Sequence, residues 1–503
     1  MQFDPKALNS KIKYLDKIRE QPKTIDLVIK RNLFSEYTIK ECKRIWVGGG
    51  ASSYMIDSAG EQFFLKIKHK AVTVESKLEE EKDFINEPCI EHEKNMLQYA
   101  EKSGANTPRI IFFDTEGDFQ FLATSYIPDS LLDVLEKTSV EETLNLWDDL
   151  VCDVRKLFDA GIVHSDIHEY NLRVRDGRPV LIDFEEARFF PQKCKFEQSL
   201  DFCGSNGISS LGEFPLSAQQ RYSVKTNSLL RMQQVFKKYL IPKTVEYLKE
   251  CNYDASNGIC TALDHGISEL TYQSVQNKYF SIKGQRSLKD KRPELIEAVL
   301  KNLSANDNWT FVDVGSNNGL FCREISRKFQ GEIRTIGLEG FHKFNVLARA
   351  LAFIEDCKNT EYRNFLCGED DVLSLGINNN CFMSICSVWH HIQKKEEFIK
   401  QLEELNLKYI LFEMPVQKEC YGGHSWEEEI VLIKEKLHFA DDCYLANSND
   451  YQRPLILLSK DEIGDSLRKK LKKSSKRIYA PSIFDKLVND FCQIVRAFLR
   501  YDR

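Results

Sequence analysis

The 503-residue chain has no run of ~18 apolar residues, and its start, Met1-Gln2-Phe3-Asp4-Pro5, carries no apolar signal region. It is therefore read as a cytosolic protein that does not cross a membrane. An excess of positive charge is also lacking: 70 Lys and Arg stand against 76 Asp and Glu, a net charge of −6, so no nucleic-acid partner is expected. Fifteen cysteines are present, yet no two are spaced C-x-x-C, which removes the usual zinc and redox spacings. Several thiols (Cys322, Cys367, Cys386) sit inside apolar runs, as reduced, buried cysteines do. There is no internal repeat and no low-complexity linker.

What is present is enough for two or three domains. Residues 1–40 read as charged helix. From Ile45 to about residue 68 short strands alternate around glycines, helical periodicity begins after Asp83, and Arg109–Asp114 and Phe119–Ser125 are strand-like. Residues 126–265 read as mostly helical, interrupted around Asp166 and Asp183. A strand-rich lobe followed by a helix-rich lobe is an α+β arrangement suited to a two-lobed kinase. From Thr310 the pattern alternates: strand 310–314, helix 320–329, strand 333–338, helix 344–354, strands 363–367 and 381–388, helix 395–405 and strand 408–413. Two apolar segments, 439–446 and 454–459, follow, separated by Asn447-Ser448-Asn449-Asp450. This alternation predicts an α/β, doubly wound parallel sheet with a final hairpin adding an antiparallel edge strand. The division is thus 1–40, 41–265, 266–460 and a helical tail, 461–503.

Phosphoryl transfer needs phosphates held, magnesium placed and a hydroxyl oriented. Gly48-Gly49-Gly50 lies between strand-like runs, where a flexible backbone approaches phosphate oxygens or simply turns. Lys66 interrupts the apolar strand Phe63-Phe64-Leu65-Lys66-Ile67, so an inward ammonium there needs a counter-charge or a phosphate. Glu93 is the candidate counter-charge, with Glu91 as its rival. The specific signal is His164-Ser165-Asp166-Ile167-His168-Glu169-Tyr170-Asn171, followed twelve residues later by Asp183-Phe184-Glu185. Asp166 would orient or accept the hydroxyl proton, and Asn171 and Asp183 would hold Mg2+ through hard oxygen ligands.

Residues 41–265 resemble the protein-kinase-like superfamily in its small-molecule and glycan branch, such as the aminoglycoside phosphotransferases and the lipopolysaccharide-core sugar kinases. His168 stands where Ser/Thr kinases keep a lysine, Glu185 stands where they keep a glycine, and no Ala-Pro-Glu element follows. The resemblance implies ATP and Mg2+ as cofactors and a saccharide or small hydroxyl acceptor, with His168 on the acceptor side.

Asp313-Val314-Gly315-Ser316-Asn317-Asn318-Gly319 ends one strand and opens a helix, with Gly315 at the tight turn and Gly319 at the helix start. Glu339 ends the next strand, 24 residues past Gly315, where a carboxylate suits two ribose hydroxyls. A glycine-poor, asparagine-bearing loop fits a sulfonium cofactor better than a dinucleotide. Residues 270–460 resemble class I S-adenosylmethionine-dependent methyltransferases, a Rossmann-like family. That resemblance puts Glu369 or Asp370 beside the adenine and Ser387 beside the methyl group. His390 or His391 is then a general base, or the turn only lines the cofactor. Gln285 and Arg286 precede the domain core, and Arg286 is either an anion clamp or a surface arginine.

Residues 459–503 hold twelve Lys and Arg against six Asp and Glu, a local +6 in a chain whose remainder is −12. Residues 484–499 space Phe484, Leu487, Val488, Phe491, Ile494, Val495, Phe498 and Leu499 as one helical face. The tail packs back on the enzyme, docks on an anionic membrane surface, or meets a partner protein. The pairing of the two signatures resembles the bifunctional kinase–methyltransferases that cap O-antigen chains, which phosphorylate a terminal sugar and then methylate the phosphate at the inner face of the bacterial inner membrane. Here the kinase comes first, the reverse of that family's order, and no long heptad region follows.

Overall fold

The computed structural model describes residues 39–48, 51–58, 61–69, 90–116, 119–190, 194–204, 227–253, 272–282, 284, 290–303, 309–377, 380–405, 407–415, 425–448 and 452–479. The chain forms two compact units, Met1–Tyr239 and Leu240–Arg503. The division falls within a helix, Leu229–Tyr253, ahead of the join read from sequence at 265–266.

In the first unit, β1 (Ile39–Gly48), β2 (Ala51–Ser58), β3 (Glu61–His69), β4 (Ile110–Glu116) and β5 (Phe119–Ser125) make an antiparallel sheet in the order 1-2-3-5-4. The two-residue period of β3 sends Phe63, Leu65 and Ile67 into an apolar cluster with Tyr54, Ile56, Phe121 and Ala123. That same period turns Lys66 to the opposite face. Helix α1 (Ile90–Lys102) lies against β4 and β5 and buries Ile90, Glu93, Met96, Leu97 and Ala100, one helical stripe. After β6 (Asp129–Ser130) come two helices, α2 (Leu131–Lys137) and α3 (Val140–Asp159). A reciprocal capping box of Ser139 and Glu142 starts α3, satisfying two otherwise unpaired backbone donors. Strand β7 (Ile162–Val163) pairs with β10 (Arg188–Phe189), and the hairpin of β8 (Leu172–Arg175) and β9 (Arg178–Leu181) lies between them in sequence. Both motif segments therefore leave strand ends. Helix α4 (Leu200–Cys203) and the first part of α5 (Leu229–Tyr253) complete the unit; Phe236 meets the Trp147 ring edge-on at 5.3 Å.

The second unit opens with a short hairpin, β11 (Val275–Gln276) and β12 (Ser281–Ile282), whose Val275 shares a cluster with Leu248, Leu347 and Leu351. Its sheet contains β13 (Thr310–Val314), β14 (Arg334–Glu339), β15 (Thr360–Asn364), β16 (Cys381–Cys386), β17 (Tyr409–Glu413), β18 (Asp441–Asn447) and β19 (Pro454–Ser459). The order is 15-14-13-16-17-19-18. The first five strands are parallel, and their near-continuous apolar stretches (Phe311, Val312, Val314; Phe382, Met383, Ile385) reflect burial on both faces. Helices α6 (Arg292–Asn302), α7 (Leu320–Lys328), α8 (His342–Ile354), α9 (Lys395–Glu404) and α10 (Trp426–Leu437) cover it, and α11 (Asp465–Tyr479) lies against α6 and β18.

Two sequence expectations are corrected here. The antiparallel strand of the final hairpin is not the edge: β19 lies inside, between β17 and β18. The strand read at 363–367 occupies Thr360–Asn364 instead, because Phe365 leaves the sheet to join the core beneath. Residues 468–473 of the tail belong to α11, with Leu471 buried; residues 480–503, including the apolar stripe at 484–499, lie outside the described residues, as do 1–38.

Candidate functional site

In the first unit the cleft side of β3 presents Lys66 to three carboxylates. Its Nζ lies 2.9 Å from Glu93 Oε2, 2.9 Å from Asp183 Oδ1 and 2.7 Å from Glu185 Oε2. Glu93, buried on α1, is the counter-charge, and its rival Glu91 is exposed. Burial alone would push the Lys66 ammonium down, but Asp183, Glu93 and Glu185 together hold it well above its ordinary value. Burial, reinforced by the Asp183 and Glu185 carboxylates, pushes Glu93 up to about 7 in spite of Lys66. One ammonium does not neutralise three carboxylates. Ligand oxygens of Glu93, Asp183 and Glu185 lie within 4.8 Å of one another around the Lys66 ammonium, so this hard-oxygen set suits Mg2+ only where the ammonium is displaced.

Asp166 sits in the turn after β7. Asn171 Nδ2 donates to its Oδ2 at 2.9 Å and to its backbone carbonyl at 3.1 Å, which leaves the Asn171 side-chain Oδ1 as the atom that could take a cation. His168 Nδ1 accepts the Tyr170 N–H at 3.2 Å, so the ring proton belongs on Nε2, 3.5 Å from Asp166 Oδ2. Burial would raise Asp166, but hydrogen bonds from His168 and Asn227 outweigh it and hold the carboxyl below its usual value. The group is thus an ionised carboxylate, suited to accepting a hydrogen bond more than to storing a proton. Ser165, beside it, has φ +67°, a left-handed conformation that costs a serine about 1–2 kcal/mol. Buried Asp201 offsets that strain by accepting the N–H groups of His164 at 2.6 Å and Ser165 at 2.8 Å.

The second unit forms the turn expected after β13. Gly315 (φ +71°) is pressed against Val388, whose Cγ2 would lie 2.7 Å from any added Cβ. Gly319 (φ +76°) is covered by the Tyr362 ring, 2.5 Å from the same hypothetical atom. Glu339 ends β14 and accepts the Asn317 N–H at 2.7 Å and the Phe341 N–H at 3.0 Å. A carboxylate has about four acceptor positions, so beside these and the Gly340 N–H it keeps capacity for one ribose hydroxyl. Asp313 is buried, accepts Ser384 Oγ at 2.7 Å across β16, and is pushed up to about 7 by burial. It serves the sheet interior as much as the loop. Exposed Glu369 pairs with Lys394 at 3.1 Å, while Asp370 accepts the Leu366 N–H at 2.7 Å.

Ser387 (φ +61°) follows β16 and bonds Glu413 at the end of β17. The half-buried His390 and exposed His391 follow in a short helical turn, their rings 4.0 Å apart. Ser387 also accepts Arg292 Nη1 at 3.3 Å, part of a buried ion cluster in which Arg292 reaches Glu413 at 2.7 Å and grips Asp290 through Nε at 3.0 Å and Nη2 at 2.6 Å.

Residues 60–193 match the RIO domain. The KEOPS complex subunit Bud32 of Pyrococcus abyssi (strain GE5 / Orsay) is 29% identical over 126 residues, or 25% of this chain; the chain spans 53% of that relative's length. Among solved structures, the bifunctional kinase-methyltransferase WbdD aligns with 36% of this chain and 41% of its own, at 18% identity and a TM-score of 0.29. A SAM dependent methyltransferase from Aquifex aeolicus aligns with 34% of this chain and 90% of its own, at 16% identity and a TM-score of 0.27. Structural likeness at that level adds nothing to the geometry. The first unit contains a RIO-type protein-kinase-like domain, and that fold supports phosphotransfer.

The structure thus joins Lys66 to Glu93 and Asp183, and Asp166 to His168 and Asn171, the two groups linked by the Ile182 N–H donating to the Asn171 backbone carbonyl at 3.1 Å; Asp313, Gly315, Asn317, Gly319, Glu339 and Ser387 gather at the strand ends of the other unit. Gly48 closes β1 opposite Ala51, while Gly49, Gly50, Gln285 and Arg286 lie outside the described residues. Sequence reading missed Asp201, Asn227 and the Asp290–Arg292–Glu413 cluster. It treated Glu185 only as a departure from pattern, although Glu185 is the carboxylate nearest Lys66.

Proposed function

We propose that the first unit transfers the γ-phosphoryl group of ATP, with Mg2+, to a hydroxyl of a glycan or similar small acceptor. The observation that carries this reading is the Lys66 ammonium among Glu93, Asp183 and Glu185, with Asp166 oriented by Asn171 nearby. Lys66 would hold phosphate oxygens, and Asn171 and Asp183 would hold the metal ion, which would neutralise charge on the transferring phosphate. Asp166 would direct the acceptor oxygen. Glu185 and His168 in place of the protein-kinase glycine and lysine favour a small acceptor over a polypeptide.

The same proposal gives the second unit a methyl transfer from S-adenosylmethionine. The sheet order, the Gly315–Gly319 turn and Glu339 at the adjacent strand end support that cofactor. The acceptor would be the new phosphate or the sugar itself, in surface-polysaccharide synthesis of the O-antigen type. If the phosphate accepts the methyl, no base is needed; if a hydroxyl accepts it, His390 or His391 would serve. A cytoplasmic location on the inner face of a membrane belongs to this reading. The exposed Lys469, Lys470, Lys472 and Lys473 of α11 suit an anionic surface, and among the described residues no helix is long and apolar enough to cross a membrane.

A second reading draws on the RIO match and the Bud32 relative, which is named as a subunit of a complex. In it, the acceptor is a protein partner. Mass spectrometry of oligosaccharide and protein panels incubated with ATP–Mg and S-adenosylmethionine, singly and together, separates the two. Phosphate on a glycan, with a methyl that appears only when ATP is present, supports the first; phosphate on protein alone, lost in Asp166→Asn, replaces it with the second. No methyl transfer, together with no S-adenosylmethionine binding, removes the second activity.

A further inference from the structure

The Asp166 carboxylate is gripped from two directions. Asn171, five residues on, donates to Oδ2 at 2.9 Å; Asn227, 61 residues away, donates through Nδ2 to Oδ1 at 2.5 Å. The Asn227 amide oxygen in turn accepts Arg231 Nη1 at 2.5 Å, one helical turn along α5, and Arg231 Nη2 reaches Glu169 Oε1 at 3.4 Å. Glu169 returns the network to the catalytic loop. Ser228 already caps α5, since its hydroxyl accepts the Arg231 N–H, so the helix does not need the Asn227 side chain.

An asparagine amide placed between a carboxylate and a guanidinium has one workable orientation. Its NH2 must face the acid and its oxygen the base; the flipped amide would set oxygen against oxygen and donor against donor. Arg231 therefore dictates that Asn227 donates to Asp166. With an amide on each oxygen, the carboxylate is fixed in rotation, and its remaining lone pairs are held toward one direction of approach.

We propose that Asn227 is a positioning residue for phosphoryl transfer, locking Asp166 against the incoming hydroxyl, and that Arg231 acts through Asn227 by fixing its amide. The proposal rests on reading the first unit as a phosphotransferase that uses Asp166.

The test uses the full-length chain with Mg2+, ATP turnover read as inorganic phosphate released to water, and nucleotide affinity read separately with a fluorescent ATP analogue. Asn227→Ala should lower kcat by about 10- to 100-fold while the nucleotide Kd stays within about twofold, because misplacement costs rate and not ground-state binding. Arg231→Ala should lower kcat by about tenfold alone and by nothing further in the Asn227→Ala background. Arg231→Lys, which keeps a donor, should recover part of the loss. Full turnover in Asn227→Ala overturns the proposal, and so does an equal Arg231→Ala loss in both backgrounds. If Asn227→Ala melts early, the smaller change Asn227→Ser carries the test, and full turnover in that folded variant is equally decisive. The layers separate cleanly: no phosphate release by the unaltered protein overturns the phosphotransferase reading, full turnover in Asp166→Asn removes the role of Asp166 and this proposal with it, and an inactive Asp166→Asn beside an active Asn227→Ala removes only the role of Asn227.

Discussion

Glu185 Oε2 lies 2.7 Å from Lys66 Nζ, closer than Glu93 or Asp183 at 2.9 Å. A nucleotide must therefore take the ammonium from a carboxylate that the usual glycine would not supply. Glu185→Gln keeps the shape and removes one negative charge facing the triphosphate. ATP binding measured calorimetrically without magnesium should tighten by about three- to tenfold, the scale of one charge-assisted contact. Unchanged or weaker binding would show that Glu185 does not compete for Lys66.

Asp201 is the single carboxylate under the His164 and Ser165 N–H groups. Asp201→Ala leaves two buried donors unpaired and removes what offsets the left-handed Ser165 backbone. The expected result is a loss of about 2–3 kcal/mol in unfolding free energy and at least ~10-fold in kcat. Asp201→Asn, which retains one acceptor oxygen, should recover part of both. Denaturant melts and turnover of the two variants check this.

Burial pushes Asp313 up to about 7, against the help of Ser384 and Arg292, so the folded second unit binds this proton more tightly than the unfolded chain does. Its contribution to stability is therefore greatest at low pH, falls as pH rises from about 4 to about 7, and levels off above that. Asp313→Asn should flatten this part of the profile. Urea midpoints at pH 5 and pH 7.5 for the two proteins read the difference; parallel profiles would place the proton elsewhere.

Gly319→Ala meets the Tyr362 ring at 2.5 Å and adds a side chain at φ +76°. Both effects oppose folding, and a loss of about 2–4 kcal/mol is expected. Adding Tyr362→Leu should relieve the contact and leave only the backbone cost. A double variant no more stable than Gly319→Ala would mean that the ring is not what crowds this position.

The legible part of the site was the part encoded at fixed short spacing. Asp166 and Asn171 are five residues apart in one turn, Glu339 ends an apolar strand and Asp183 comes two residues after one, so short-range chain geometry places their carboxylates. Asp201 and Asn227 carry no such signal: each reaches the catalytic loop from a distant segment, and an isolated Asp or Asn reads as any other polar residue. Arg292, beside Pro293 at a helix start, carries no local mark of burial; its burial depends on Glu413, 121 residues later. Some misses did have a signal. Ser425 and Glu428 form the capping box of α10, and that Ser-x-x-Glu pattern was readable. The β15 register slipped because Phe365 and Leu366 look more like strand than the polar Thr360-Glu361 that actually pairs with β14.

The inward position of β19 has a consequence for synthesis. Until residues 454–459 have emerged, β17 has a neighbour on one side only, and the backbone groups from Tyr409 to Glu413 that later bond β19 stand open along an apolar strand. A nascent chain halted in that interval would expose a parallel half-sheet with a sticky border, the kind of edge that recruits other chains. The second unit is thus most vulnerable to aggregation between the synthesis of β17 and that of β19, and chaperone dependence should concentrate in that interval.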